Sequence, residues 1–348
     1  MEHSVHKRRV RYKGTHPKKY DEKYKELHPE KYKETIEKVM QKGMTPAGMH
    51  IPIMVEEILS FLKITPGQTG LDATLGYGGH TTKMLEQLQG KGHLYSLDID
   101  PIEIEKATRR LREKGFLEDI LTTKLLNFGD INDLTNGQEM FDFVLADLGV
   151  SSMQIDNPQR GFTFKADGPL DLRLNPHTGI SAAHRLQRIK KDELKGMLQE
   201  NADEPYAKEI AEVIVKNIRK GNSIDTTRKL YDVIEEALCF IPEKERKEAV
   251  KKSCQRTFQA LRIDVNNEFE VLEIFMEKLP SILKPGGRVA ILTFHSGEDR
   301  IVKKAFKSFK CAGIYSEIAE EVTRPQAEEC FRNSRSHSTK MRWAIKKE

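Results

Sequence analysis

Hydrophobic residues fall along this chain in two rhythms, and their alternation carries the first reading. MVEEILSFLKI (54–64) has apolar residues at helical spacing, whereas TGLDA (69–73) reads as a short buried strand. A glycine loop, TLGYGGH (74–80), follows, and TTKMLEQL (81–88) returns to the helical rhythm. GHLYSLDID (92–100) reads as a second strand ending in acids, with a helix from Pro101, where proline suits a first turn. ILTTKLLNF (120–128) predicts a third strand and FDFVLAD (141–147) a fourth. Strands and helices alternating at this spacing predict a right-handed, parallel, doubly wound α/β sheet.

The next such strand, GGRVAILTF (286–294), arrives about 140 residues after the fourth, although a single crossover unit needs only about 30. The stretch 157–253 supplies the excess. It opens with the loop-like NPQRGFTFKADGPLDLRLNPHTG (157–179) and turns helical in DELKGMLQ, YAKEIAEVIVKNIRK and RKLYDVIEEALCFI. These patterns predict an α-helical domain inserted into the α/β domain, growing from the loop after strand four and so lying over the sheet's ligand edge. The expected division is a basic arm (1–45), a first α/β part (46–156), the helical insertion (157–253) and a second α/β part (254–348).

Charge changes the picture mainly at the N-terminus. The net charge is +5, but residues 1–45 hold thirteen Lys+Arg against seven Asp+Glu, which leaves the other 303 residues at −1. A near-neutral body with a basic arm suggests a polyanionic partner such as RNA, the alternative being a merely solvated tail. Within the arm HPKKY (16–20) recurs as HPEKY (28–32), and Tyr20, Tyr24 and Tyr32 among lysines could add base stacking. A short helix docked on the body is the competing reading there. No apolar run approaches the roughly 18 residues of a membrane helix, and the polar N-terminus lacks the apolar core of a secretory signal. Cys239, Cys254, Cys311 and Cys330 are widely spaced without a C-x-x-C pair, which favours reduced thiols in a cytoplasmic protein over a zinc or disulfide framework.

Candidate chemistry gathers at the predicted strand ends. LDATLGYGGH offers Asp72, Gly76, Gly78 and Gly79, but Thr81 stands where a dinucleotide fingerprint begun at Gly76 requires glycine. That weakens a pyrophosphate reading. A ligand without phosphates, whose amino-acid end needs close backbone approach, fits the loop equally, and S-adenosylmethionine is such a ligand. Asp98 ends strand two, where an acid can take both hydroxyls of a ribose. With that cofactor Asp147, at the end of strand four, would meet the reacting group. The exocyclic amine of a base is a poor nucleophile, and an acceptor holding its N–H bonds would turn its lone pair toward the methyl. Gly149, Ser151 and Ser152 would leave room for a flat base. The plain alternative is that Asp147 caps a helix. No cysteine follows a strand end, as pyrimidine C5 methylation would require.

Other positions are candidates for substrate contact. ILTFHSGEDR (291–300) places His295 on the same edge, either touching substrate or filling a structural role. RGFTFKADGPLDLR (160–173) brings Arg160 and Arg173 together with two phenylalanines, a set that suits single-stranded RNA, although Phe162 and Phe164 also read as core. CQRTFQALRIDVNNEFE (254–270) reads as an amphipathic helix whose Arg256, Arg262 and Asn266 either point back to the site or tie the two domains together.

Taken together, GYGGH, DIDP, DLGVSSMQID, RGFTFKADGPLDLR, RTFQALRIDVN, PGGR and FHSGEDRIVK resemble the bacterial 16S ribosomal RNA cytosine-N4 methyltransferases, the MraW/RsmH family, from about residue 50 to near the C-terminus. The resemblance implies a class I S-adenosylmethionine-dependent methyltransferase fold, Rossmann-like, with an inserted helical domain. It implies that Gly78, Gly79, His80, Asp98, Phe128, Asp147 and Gln154 contact S-adenosyl-L-methionine, with Phe128 on the adenine, and that no metal is needed. The partner it implies is 16S rRNA in the small ribosomal subunit, with no membrane; the oligomeric state stays open, a homodimer included. The chain departs from the family at Gly297, where leucine is usual, at NADEP (201–205), at RNSRSHSTKMR (332–342) and in the arm. These departures suggest a divergent member or a second copy. Rival readings are the same transfer on another RNA or DNA, a non-catalytic RNA-binding assembly factor, and a nicotinamide oxidoreductase, the last disfavoured by Thr81.

Overall fold

The structure, a computed structural model, describes residues 52–348, and the basic arm lies outside them. Its centre is a seven-stranded sheet: β1 (Thr69–Asp72), β2 (His93–Asp98), β3 (Leu121–Leu125), β4 (Phe141–Asp147), β5 (Leu283–Thr293), β6 (Tyr315–Ile318) and β7 (Lys340–Lys346). The spatial order is β3-β2-β1-β4-β5-β7-β6. The five strands read from the sequence are all parallel. The expectation of a purely parallel sheet is corrected by β7, which runs antiparallel between β5 and β6.

The apolar runs form strands because both faces of the sheet are covered. On β4, Phe143 and Leu145 face a layer containing Ile58, Leu62, Met84 and Leu85, while Val144 and Ala146 face Leu272, Phe275 and Leu279. The first layer is supplied by helices Val55–Leu62, Gly79–Leu88 and Pro101–Glu113; the second, by Glu268–Ile282 and Ser296–Cys311. Each fully buried Leu, Val or Phe adds about 1.5–3 kcal/mol, so these two layers hold the sheet edge rigid.

A third hydrophobic cluster, running from Leu170 to Leu261, is built from helices Ala182–Arg188, Lys191–Ala202, Ala207–Arg219, Thr227–Ala237 and Glu243–Asn266. It is the helical layer expected between strands four and five. The expected boundary at 253/254 falls inside Glu243–Asn266, a single helix whose Val250 and Phe258 share that cluster. The helix read over 254–270 is therefore the second half of a longer one. It stops at Asn267, whose φ of 50° is left-handed, and the next helix starts at Glu268. Phe162 and Phe164 pack on the helical cluster, and Phe164 stacks on Tyr231 with ring centroids 6.0 Å apart. Among the described residues no helix is long and apolar enough to cross a membrane.

Candidate active site

The parallel strands end together on one edge, and the acids that close β1, β2 and β4 meet there. Gly76 and Gly78 take positive φ values of 49° and 83°, which lets the loop after β1 turn tightly into helix Gly79–Leu88. The Gly76 N–H donates to Asp98 Oδ2 at 2.8 Å, and the Asp100 N–H donates to Asp98 Oδ1 at 2.8 Å. Burial nonetheless pushes the Asp98 carboxyl up to about 7, because two amide bonds do not replace its hydration. Each oxygen keeps a lone pair for a further donor.

Asp72 lies beneath the loop, fully buried. It accepts from the Thr81 hydroxyl at 2.6 Å and from the Thr74 N–H at 3.1 Å. Thr81, the residue that broke the dinucleotide fingerprint, thus satisfies a buried acid. The Thr74 hydroxyl oxygen in turn accepts the Asp147 N–H at 2.6 Å.

Asp147 caps no helix. Its Oδ2 lies 3.4 Å from His80 Nδ1, and its Oδ1 is inaccessible and has no hydrogen-bond partner among the described residues. Desolvation raises its carboxyl to about 6; His80 pulls the other way, and Asp72 and Glu298 add to the rise. The other ring nitrogen of His80, Nε2, meets the Ile53 carbonyl oxygen at 2.8 Å.

Asp98 and Asp147 both hold protons more tightly folded than unfolded. Their stabilising contribution is complete below about pH 4 and is lost as pH rises through about 6 to 7. The ligand-free protein is expected to melt several degrees higher at pH 5.5 than at pH 8. A melting temperature that instead climbs between those values would contradict the assignment.

The remaining candidates divide sharply. Phe128 sits beyond the end of β3 in a short turn and packs on Phe275, with centroids 5.1 Å apart. Gln154 is buried; its Nε2 donates to Asp100 Oδ2 at 2.8 Å and its Oε1 accepts the Ser151 N–H at 2.8 Å. Ser151 is the N-cap of helix Ser152–Asp156, and its hydroxyl closes a capping box with Gln154. Ser152 is the first residue of that helix.

Arg160, expected at RNA, is buried instead against Asp100 at 2.7 Å and donates to the carbonyls of Arg173 and Leu174. Arg173 forms a two-pronged bond to Asp171, at 2.6 and 2.9 Å. Arg262 does the same to Glu268, at 2.8 and 2.9 Å. Asn266 accepts the Leu174 N–H and donates to the Leu172 carbonyl. Arg262 and Asn266 therefore follow the domain-tying alternative. Arg256, half-buried on the same helix, is held by no described residue.

His295 is the N-cap of helix Ser296–Cys311, with Nδ1 accepting the Glu298 N–H. Glu268, His295 and Glu298 stand close enough to hold a cation. The Arg262 guanidinium already supplies positive charge there, so the group is charge-balanced by the chain itself. Sequence reasoning missed Asp100, which is completely buried and joins β2, Gln154 and Arg160. Its signal was the DIDP string, in which an acid before proline is placed to cap the helix.

Gly297 also gains a physical reason. A β-carbon there would overlap the Phe269 ring, which tilts against His295 at 5.7 Å between centroids. Gly297→Leu is expected to cost about 1–3 kcal/mol by overpacking, with Phe269→Ala in the same chain restoring most of it. Chemical denaturation of both variants measures this; a single substitution as stable as wild type would refute the steric reading.

A doubly wound sheet in this strand order, with one reversed strand, a glycine loop after β1 and acids closing β2 and β4, defines a class I methyltransferase fold. The MraW methylase family matches residues 47–347, and the chain belongs to that family. It is 67% identical to "Ribosomal RNA small subunit methyltransferase H 1" of Lachnoclostridium phytofermentans, covering 98% of this chain and 93% of that one. A protein of the same name from Agathobacter rectalis is 65% identical, over 100% and 99%. "Ribosomal RNA small subunit methyltransferase H 2" of Alkaliphilus metalliredigens is 61% identical, over 97% of each chain. Coverage this complete means that these alignments take in most of residues 1–45. Among solved structures, an S-adenosylmethionine-dependent O-methyltransferase from Thermotoga maritima aligns at 12% identity and a TM-score of 0.40, over 90% of this chain and 71% of that one.

Proposed function

We propose that the chain transfers a methyl group from S-adenosyl-L-methionine to the exocyclic N4 of a cytidine in 16S rRNA of the small ribosomal subunit, in the cytoplasm. The observation that carries this reading is the unpartnered, buried Oδ1 of Asp147 beside the glycine loop. The donor set fits the cofactor: three desolvated carboxylates with no lysine or arginine from the described residues among them suit a cationic ligand, and the loop glycines permit close backbone approach. Gly78, Gly79, His80, Asp98, Phe128, Asp147 and Gln154 are the residues we assign to holding it. When bound, it supplies an electrophilic methyl group.

The chain's own residues then do the positioning. Asp98 has lone pairs free for ribose hydroxyls, and the Phe128 ring offers a face for the adenine. Asp147 accepts an N–H bond from the target amine, which localises the nitrogen lone pair and aims it. Gln154 acts mainly by holding Asp100, and through it the turn after β2. Arg256 and the arm 1–45 are left for phosphate contacts, whereas Arg160, Arg173 and Arg262 are spent inside the protein.

Incubation with methyl-labelled cofactor and small ribosomal subunits stripped of modification tests the reading, with the nucleosides identified by mass. Label in N4-methylcytidine is the expected result. Label on another RNA or on DNA alone would move the substrate, and cofactor binding without any transfer would favour an assembly role.

A further inference from the structure

Two acceptors lie close together at the strand edge, one on His80, which is 8% exposed, and one on Asp147, whose side chain is 21% exposed. His80 Nε2 lies 2.8 Å from the Ile53 carbonyl oxygen, which can only accept, so Nε2 carries a hydrogen and donates it. In the neutral ring Nδ1 is then a bare lone pair, and it lies 3.4 Å from Asp147 Oδ2. A lone pair against a carboxylate in a desolvated site is repulsive unless one proton lies between them. Asp147 Oδ1, on the other side of the carboxylate, is buried and unpartnered.

We propose that His80 is a positioning residue that shares one proton with Asp147 in the ligand-free protein, and that a cationic ligand reaching Asp147 displaces this proton. The proposal rests on the cofactor assignment above and adds a charge state to it. Among the described residues, the other groups whose electrostatic interaction with the pair is evident are acids. Asp72 comes from β1, Glu298 from helix Ser296–Cys311 and Glu329 from helix Ala327–Arg332, and each interacts electrostatically with His80 or Asp147. Their charges favour keeping a proton in the pair until a cation replaces it.

Emptying the pair has a chemical use. During transfer the target nitrogen forms a bond to the methyl carbon, and the carbon–sulfur bond breaks with its electrons staying on sulfur. The nitrogen must then lose one proton. Asp147, already deprotonated, receives it and shares it with His80 Nδ1, and the proton then passes to solvent, to which the Asp147 side chain is 21% exposed.

The test is calorimetric binding of S-adenosyl-L-methionine to the full chain, in pairs of buffers with different ionisation enthalpies, from pH 5.5 to pH 8. The pair is expected to contribute close to one released proton at the acid end and none at pH 8, with its share of the affinity about tenfold weaker one unit below its titration. Asp98 titrates in the same range and forms a common background in every variant.

Two substitutions separate charge control from a structural tether. His80→Asn puts an amide donor near the Nδ1 position; it should stabilise the ionised Asp147 and move the release to lower pH. His80→Gln keeps a donor for the Ile53 carbonyl but removes Nδ1, both the lone pair that repels ionised Asp147 and the second acceptor for its proton, so the release should again move to lower pH. A tether alone predicts that His80→Gln behaves as wild type and that neither variant shifts the pH dependence, which would overturn the proposal. Failure of wild type to bind at any pH would sink the cofactor assignment itself, and the proposal with it.

Discussion

Asp147→Asn is expected to abolish detectable N4 methylation while leaving the ligand-free protein at least as stable as wild type. The two effects share one cause. The carboxylate is held desolvated, with Oδ1 unpartnered and its pKa raised to about 6, and that arrangement costs the folded state at neutral pH. A shift of about two units corresponds to about 3 kcal/mol as an upper bound, because the side chain keeps some access to solvent. Asparagine preserves shape and removes the charge, so the melting temperature at pH 8 should hold or rise. Transfer loses the charge of its preorganised acceptor, since an amide oxygen accepts the N–H bond only weakly by comparison, and such an electrostatic contribution is worth about 10²–10³ in rate. The proton acceptor goes too, so the measured loss should exceed that range. Single-turnover incorporation of labelled methyl gives the rate, and thermal melts give the stability. A variant several degrees less stable, or one that methylates as wild type does, would show that Asp147 is structural.

Arg160→Met should have the opposite signature, destabilising the fold by about 3–5 kcal/mol. Asp100 is completely buried, and Arg160 meets it at 2.7 Å while also holding the carbonyls of Arg173 and Leu174. Removing the guanidinium leaves an ion in the interior with no countercharge, helped only by the Gln154 amide and the helix N–H groups it caps. Adding Asp100→Asn should recover a large part of the loss, since a neutral amide no longer needs the arginine. It should not recover all of it, because the two carbonyls remain unmet. Denaturant midpoints of the single and double variants measure both quantities. An RNA-contacting arginine predicts instead near-wild-type stability with weaker, less salt-sensitive RNA binding, and that outcome would reject the strut.

The five parallel strands and the helices between them were legible because burial on both faces writes continuous apolar runs into a sequence. The acids were legible because each stands where such a run stops: Asp72, Asp98 and Asp147 end β1, β2 and β4. β7 was not, since the segment KMRWAIK carries nothing local that says it inserts between β5 and β6. The boundary placed at 253/254 lies inside a single helix for a related reason. A helix that begins in the helical layer and ends at the sheet shows no change of rhythm where it passes from one to the other.

The sequence by itself determined the fold class, the glycine loop and the order of acids along the edge, because all of these depend on neighbours within a few residues. The tertiary structure alone decided which polar groups are free. Arg160 finds Asp100 sixty residues away, Arg185 finds Asp264 across seventy-nine, and His80 meets Asp147 across sixty-seven. A guanidinium bound for RNA and one spent on a buried carboxylate are the same letter in the chain. Only the folded distances, and the desolvation that comes with them, separate the strut at Arg160 from the unheld Arg256 and give His80 and Asp147 a proton to share.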